Sequence, residues 1–234
     1  MEVYFILVKP GLPDNVGAAA RAINTMGFHN LRLVDPCDYL SGQGRLLAHG
    51  SQAILEKAAV FPSLKEALSD MDFAVATTAR KRHLHVKNWI PVEGLPETLR
   101  SKKGMIEKVA VVFGTEEHGL VNEEIELCDI ITYVPMAQYY PSLNLAQAVM
   151  LYAYTLSVFV VNREKPSQGA MPPEEHFKVF KKRLEKVFAD LGIRGDSMFH
   201  IKVMKRIGLL SRTDLRTIHF FLDKLEEKTG KKVI

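Results

Sequence analysis

Short apolar runs and helix-spaced apolar stripes alternate along the first two-thirds of this chain. Val3 to Val8, Leu31 to Val34, Phe73 to Thr77, Val109 to Phe113 and Ile130 to Val134 read as strands. Their continuous apolar character, without polar alternation, predicts burial on both faces. Between them the spacing predicts helices from Asp14 or Asn15 to about Met26, from about Leu46 to Ala59, from Ser63 to Ser69 and from Leu143 to about Val161. Asp14 or Asn15 can cap the first helix, with Gly27 as its stop. Alternation with short connections predicts an α/β fold, a mostly parallel sheet covered by helices on both faces.

The composition shifts to Pro, Ser, Gly and charge between Arg163 and Pro173, which reads as a linker. Beyond it the pattern is entirely helical: about Glu174 to Leu191, Ser197 to Ile207 and Ser211 to Lys228. The expected organisation is a domain over 1–162, a linker over 163–173 and a small all-α extension over 174–234.

Composition narrows the class. Of 234 residues, 47% are hydrophobic and 25% charged, ordinary values for a globular chain and too apolar for a disordered one. The run Ala146 to Val161 is broken by Gln147, Tyr152, Tyr154, Thr155 and Ser157, and falls short of the roughly 20 apolar residues of a membrane span. Nothing at the N-terminus resembles a signal peptide. Cys37 and Cys128 make neither a disulfide framework nor a metal cluster. A reduced, cytoplasmic protein without a metal is expected.

Charge is unevenly placed. Residues 1–162 hold 14 Lys and Arg against 17 Asp and Glu, whereas residues 163–234 hold 17 against 10. A basic segment on a slightly acidic body suits a polyanion, although a solvated helix face has the same composition.

Familiar motifs fail. The turn after the first strand, Lys9-Pro10-Gly11-Leu12-Pro13, lacks a dinucleotide fingerprint. Gly114 to Gly119 has P-loop spacing, but Leu120 follows instead of Lys, and Glu116 and Glu117 would repel phosphate. His83 and His85 lack a third metal ligand at a sensible spacing, so they read as part of a basic loop. Cys128 sits on the apolar side of a short helical pattern and reads as core.

Three segments that follow strands hold unusual chemistry, where open parallel sheets bind ligands. Asp14 to Arg21 offers Asn15, Gly17 and Arg21. These are either a cap, a packing glycine and a surface cation, or a close backbone approach beside a phosphate-binding fork. Phe113 to Leu120 sets Gly114 and Gly119 around two carboxylates, a poor turn for stability alone and a good backbone cradle. Pro135-Met136, then Tyr140 to Ala148, places Ser142 as the cap of the long helix. Asn144 falls in its first turn, where it is a poor helix former.

Taken in order, Asn-x-Gly-x-x-x-Arg, Phe-Gly-x-Glu-x-x-Gly-Leu, and Val-Pro-Met with Ser-Leu-Asn-Leu-Ala-x-Ala resemble the three signature motifs of the SpoU/TrmH family. These are SPOUT-class RNA 2′-O-methyltransferases. The likeness spans residues 3–160. The segment Ala76 to Arg80 and the helical C-terminus are similar to the TrmJ-like branch, with LasT-type proteins nearest. The resemblance implies a C-terminal trefoil knot in the sheet domain, a homodimer, an RNA substrate (tRNA or rRNA) and S-adenosylmethionine as cofactor. By position it assigns Thr77, Thr78, Ala79, Gly114, Val134, Met136, Ser142 and Leu143 to the cofactor. Arg21, Asn15, Glu116, Ser142 and Asn144 would be catalytic, with Glu116 and Asn15 orienting Arg21. Arg21, Lys202, Lys205, Arg206, Arg212 and Arg216 would face RNA. The C-terminal helices have a second expected role, dimer support, with Ile207, Leu209, Leu210, Ile218, Phe220 and Phe221 buried. Thr115 and His118 fall in variable slots of the second motif. Turnover-free RNA binding and methylation of a base are the alternatives.

Overall fold

The computed structural model describes residues 1–79, 89–138, 142–161 and 177–229. The expected linker and His83 and His85 lie outside them. Seven strands among the described residues form one sheet: β1 (Glu2–Val8), β2 (Asn30–Val34), β3 (Ala59–Phe61), β4 (Phe73–Thr77), β5 (Trp89–Pro91), β6 (Lys108–Phe113) and β7 (Ile130–Tyr133). The order is β3-β2-β1-β6-β4-β7-β5, and every neighbouring pair is parallel. The five predicted strands are all present. The two further strands, β3 and β5, are three residues each and sit at the sheet's two edges. They are too short, and too exposed, to stand out as apolar runs.

Successive residues of a strand point to opposite faces, and both faces of this sheet are dry. Phe5 and Leu7 join one apolar cluster, while Ile6 and Val8 join the other. Helices α1 (Pro13–Thr25), α2 (Gly42–Leu47), α3 (Gln52–Glu56), α4 (Leu64–Ala67), α5 (Leu95–Arg100), α6 (Asn122–Glu126), α7 (Leu145–Leu156) and α8 (Val158–Val161) complete this body. Residues of α1 and α7 line the first cluster, and those of α4 and α6 the second. Cys128 is buried in the second, as expected of core, and burial pushes its thiol up to about 12.

Helix α1 begins at Pro13, so Asp14 and Asn15 lie in its first turn and neither caps it. A proline at the first helical position has no N–H left to satisfy. The helix stops at Gly27 (φ +82°): Gly27 N donates to Asn24 O and Phe28 N to Ile23 O, closing the left-handed turn that favours glycine. The single helix expected from Leu46 to Ala59 is two, α2 and α3, parted at Gly50 (φ +72°). The expected helix from Leu143 to Val161 starts at Leu145 and breaks at Ser157, whose hydroxyl donates to Tyr154 O. Among the described residues no helix is long and apolar enough to cross a membrane.

Helices α9 (Phe177–Asp190), α10 (Met198–Ile207) and α11 (Arg212–Thr229) follow. They share the body's first apolar cluster: Phe177, Phe180, Leu184, Ile207, Leu215 and Leu222 are buried in it. The Phe177 ring meets Phe73 edge-on at 5.1 Å. Basic residues reinforce this seam. Lys181 Nζ donates to Asp129 Oδ1 at 2.7 Å. Lys205 Nζ donates to Ile125 O at 3.0 Å and also to Cys128 O, neutralising carbonyls at the end of α6. Arg212 N donates to Ser101 O, and its guanidinium packs over Gly104. Fully buried Lys102 donates to Leu210 O beneath the Phe73 ring.

Truncation of Phe177 to Ala should cost about 3–5 kcal/mol, the usual price of a large core cavity, measured by urea denaturation. Burial pulls the Lys102 amine down from 10.5 to about 8 despite the opposing pull of Asp129 and Asp214. The unfolded chain therefore binds more protons between those values, and stability contributed at this site rises as pH climbs through that window. The denaturation midpoint of the wild type should gain on that of Lys102→Met between pH 8 and 10. A pH-independent difference contradicts this.

Candidate active site

The three motif segments meet beyond the carboxyl ends of β1, β6 and β7. After β1, Lys9 adopts a left-handed conformation (φ +49°) and turns the chain so that Gly11 and Leu12 present their N–H groups outward. After β6, Gly114 lies against the far side of its own turn. A Cβ there would sit 2.0 Å from the Gly119 carbonyl carbon, so no other residue fits without moving backbone. Gly119 N donates to Thr115 O at 2.9 Å and His118 N to Thr115 Oγ1 at 3.2 Å, closing the loop.

Glu116 is the hub. Gly11 N donates to its Oε2 at 3.0 Å, and Leu12 N and Asn15 Nδ2 donate to Oε1 at 3.3 and 2.9 Å. Burial pushes its carboxyl up, but the Asn15, Gly11 and Leu12 hydrogen bonds outweigh it and hold the group below the usual carboxylate range. Asn15 Oδ1 in turn accepts from Asn144 Nδ2 at 2.8 Å. Asn144, rather than Ser142, caps α7: its Oδ1 accepts from Ala146 N, and Gln147 Oε1 accepts from Asn144 N. Asn caps as well as Ser does, and Gln147 at the third position completes the box. A single relay thus ties the loops carrying Asn15, Glu116 and Asn144.

Beside the relay lies a cleft of about 290 Å³. All of Thr77, Thr78, Ala79, Gly114, Val134, Met136, Ser142 and Leu143 line it, together with Glu116. Its floor is Phe113 against Tyr152, ring centroids 5.4 Å apart and nearly perpendicular. Thr132 Oγ1 donates to Ala76 O at 3.1 Å, so the Tyr152 hydroxyl, 2.8 Å away, donates to Thr132. Thr77 Oγ1 donates to Val112 O and Thr78 N to Thr132 O, which fixes the end of β4. Sequence reasoning missed Phe113 and Tyr152 as cleft residues, and Thr132 as the buried group that holds the Tyr152 hydroxyl. Their signal was drowned in apolar runs that read simply as core.

Arg21 is elsewhere. It is exposed on α1 and absent from the cleft lining, and Glu116 and Asn15 hold each other and the 11–12 turn rather than Arg21. Gly17 resolves to packing: a Cβ there would be 2.1 Å from Gly44 O of α2. Of the basic C-terminal residues, Lys202, Arg206 and Arg216 are exposed. Lys205 and Arg212 are turned onto backbone carbonyls of the body, since helix-end carbonyls need cations as much as phosphates do. Phe220 and Phe221 are 64% and 61% exposed rather than buried in the chain.

A parallel sheet with a backbone-lined cleft and a cross-loop amide relay at its carboxyl edge defines an α/β ligand-binding class. Residues 2–154 match the SpoU rRNA Methylase family, and the chain belongs to that family. It is 40% identical over 99% of its length to all of an uncharacterized tRNA/rRNA methyltransferase, LasT, of Escherichia coli K12. It is 33% identical, over 82% of this chain and 76% of the relative, to the tRNA (cytidine/uridine-2′-O-)-methyltransferase TrmJ of Yersinia pestis Pestoides F. The crystal structure of TrmJ from Z. mobilis ZM4 superposes with a TM-score of 0.66 at 31% identity, over 97% of this chain and 100% of that one.

Replacing Gly114 by Ala should force the two strands of its turn apart and collapse the cleft. The expected outcome is a stability lowered by about 1–3 kcal/mol in urea denaturation, the usual cost of overpacking, with the circular dichroism of the sheet retained.

Proposed function

We propose that this protein transfers a methyl group from S-adenosylmethionine to a ribose 2′-hydroxyl of tRNA or rRNA. The observation that carries the reading is the convergence of eight separately encoded residues, from the ends of β4, β6 and β7 and the approach to α7, on one cleft beside the Glu116–Asn15–Asn144 relay. The cleft suits the cofactor in kind. Gly114 lets its turn close tightly beside the cleft, Phe113 and Tyr152 provide an apolar floor, and Thr77, Thr78 and Ser142 provide polar edges. Bound there, S-adenosylmethionine supplies an electrophilic methyl on a sulfonium, so the protein has only to orient and to stabilise charge.

The relay makes the reacting geometry stiff. Asn144 has its acceptor on its own helix and its donor on Asn15, and Asn15 has its donor on Glu116. Arg21, exposed on α1 with a planar five-donor fork, binds the phosphate of the target nucleotide. The exposed cations Lys202, Arg206 and Arg216 extend this phosphate surface, so RNA affinity falls with salt. The likeness to SpoU methylases supports a trefoil knot in the C-terminal portion of the sheet domain and a homodimer in which the partner completes the site. Exposed Leu12 and Tyr154, on the α1 and α7 side of the chain, suit that dimer. An RNA substrate fits a cytoplasmic location.

Incubation with methyl-labelled cofactor and total tRNA or rRNA, digestion and mass analysis should yield a 2′-O-methyl nucleoside. A labelled base or no label overturns the reading. Arg21→Ala should lower kcat/KM for RNA by about 10- to 100-fold, the worth of a charge-assisted phosphate contact, while leaving cofactor affinity intact.

A further inference from the structure

We propose that Phe220 and Phe221, on the outer face of α11, stack unpaired bases of the bound RNA. This site rests on the RNA 2′-O-methyltransferase reading above and adds a contact away from the reaction, since among the described residues none of α11 lines the cleft. The two rings are 64% and 61% exposed, although phenylalanine is a residue that folding normally buries. They are not misplaced core. The apolar stripe of α11 is complete without them: Leu215 and Leu222 are buried in the body's first apolar cluster, and Ile218 and Leu225 pack against it. At 3.6 residues per turn, Phe220 falls on the side away from Leu215 and Leu222, and Phe221 beside it.

The surroundings of the rings suit a nucleic-acid strand. Phe220 sits midway between Arg216 and Lys224 in a row of residues four apart, and Lys228 continues the row. All three cations are exposed, and Lys224 Nζ lies 5.7 Å from the centre of the Phe220 ring. The described acids of the helix are engaged. Asp214 accepts from the Ser211 N–H and hydroxyl, Asp223 from Arg183 at 2.7 Å, and Glu227 from Lys224 at 2.6 Å. That last pair is 56% and 65% exposed, and such a pair holds its lysine weakly enough for a phosphate to take it over.

Aromatic faces beside cations are the means by which proteins hold single strands: any base stacks on a ring, and the cations meet the phosphates. In a duplex the base faces are already covered by their neighbours, so the rings select unpaired nucleotides. A second copy of this chain fits less well. A phenylalanine buries about 150–250 Å², so two rings exposed to this degree offer about 200–300 Å² of apolar surface. A stable protein interface takes about 800 Å² from each partner.

Fluorescence anisotropy on the full-length protein tests this with a labelled, unstructured oligoribonucleotide and with the same strand annealed to its complement. Phe220→Ala and Phe221→Ala should each weaken single-strand binding by about tenfold to a hundredfold and leave duplex binding within about twofold. The salt dependence should keep its slope, because no phosphate contact is lost. Phe220→Trp should bind the strand as wild type does, and its added indole emission should be quenched on binding. In the methylation assay the alanine variants should raise KM for RNA and keep kcat. Unchanged single-strand affinity in both alanine variants overturns the proposal, and so does equal loss for strand and duplex. A changed oligomeric state in sedimentation with unchanged strand affinity also overturns it and assigns the rings to a subunit contact. A wild type that binds the strand but makes no 2′-O-methyl nucleoside overturns the functional reading alone, whereas one that binds no RNA overturns both.

Discussion

One carboxylate holds the site together. Glu116, on the turn after β6, accepts two backbone N–H groups and one side-chain amide from a segment about a hundred residues earlier in the chain. Hydrogen bonds to a charged acceptor are worth about 1.5–3 kcal/mol each, and losing the acceptor strands all three donors at once. Asn15 would lose its orientation, and with it the partner of Asn144. The cap of α7 and the shape of the cleft's rim therefore depend on a group that is itself only partly buried. The sheet supplies the coarse placement: β1 and β6 are adjacent and parallel, so their carboxyl ends emerge side by side and Glu116 needs to reach only one strand over.

The glycines of the same turn act through absence. Gly114 permits its backbone to touch that of Gly119 and Leu120, leaving a compact loop whose polar groups are satisfied internally. A ligand entering the cleft meets a surface that is already ordered. Beneath, the Tyr152–Thr132–Ala76 chain ties α7, β7 and β4 together, so the floor is as fixed as the rim.

The basic C-terminal segment divides its charge between two tasks. Lys181 meets buried Asp129, while Lys205 and Arg212 reach backbone carbonyls of the body, and all three help dock the helices to it. Among the described residues of the segment, Lys182, Arg194, Lys202, Arg206, Arg216, Lys224 and Lys228 remain exposed to solvent.

Much of this was legible in the residues alone. The five central strands show as apolar runs because both faces of a parallel sheet are dry. The motif segments show because glycines, amides and carboxylates gathered after strands serve stability poorly. Gly27 ended its helix as its left-handed preference requires. Other features depended on distance in space. The partners of Asn15 and Glu116 are each other, across about a hundred residues, so no local pattern could tell a cap from a relay. Ser142 and Asn144 are both good caps, and the contact with Asn15 and Gln147 decided between them. Edge strands of three residues carry too little apolar surface to be seen beforehand. Whether a lysine faces water or a helix-end carbonyl is set by what packs beside it, and only the tertiary structure brings that neighbour into place.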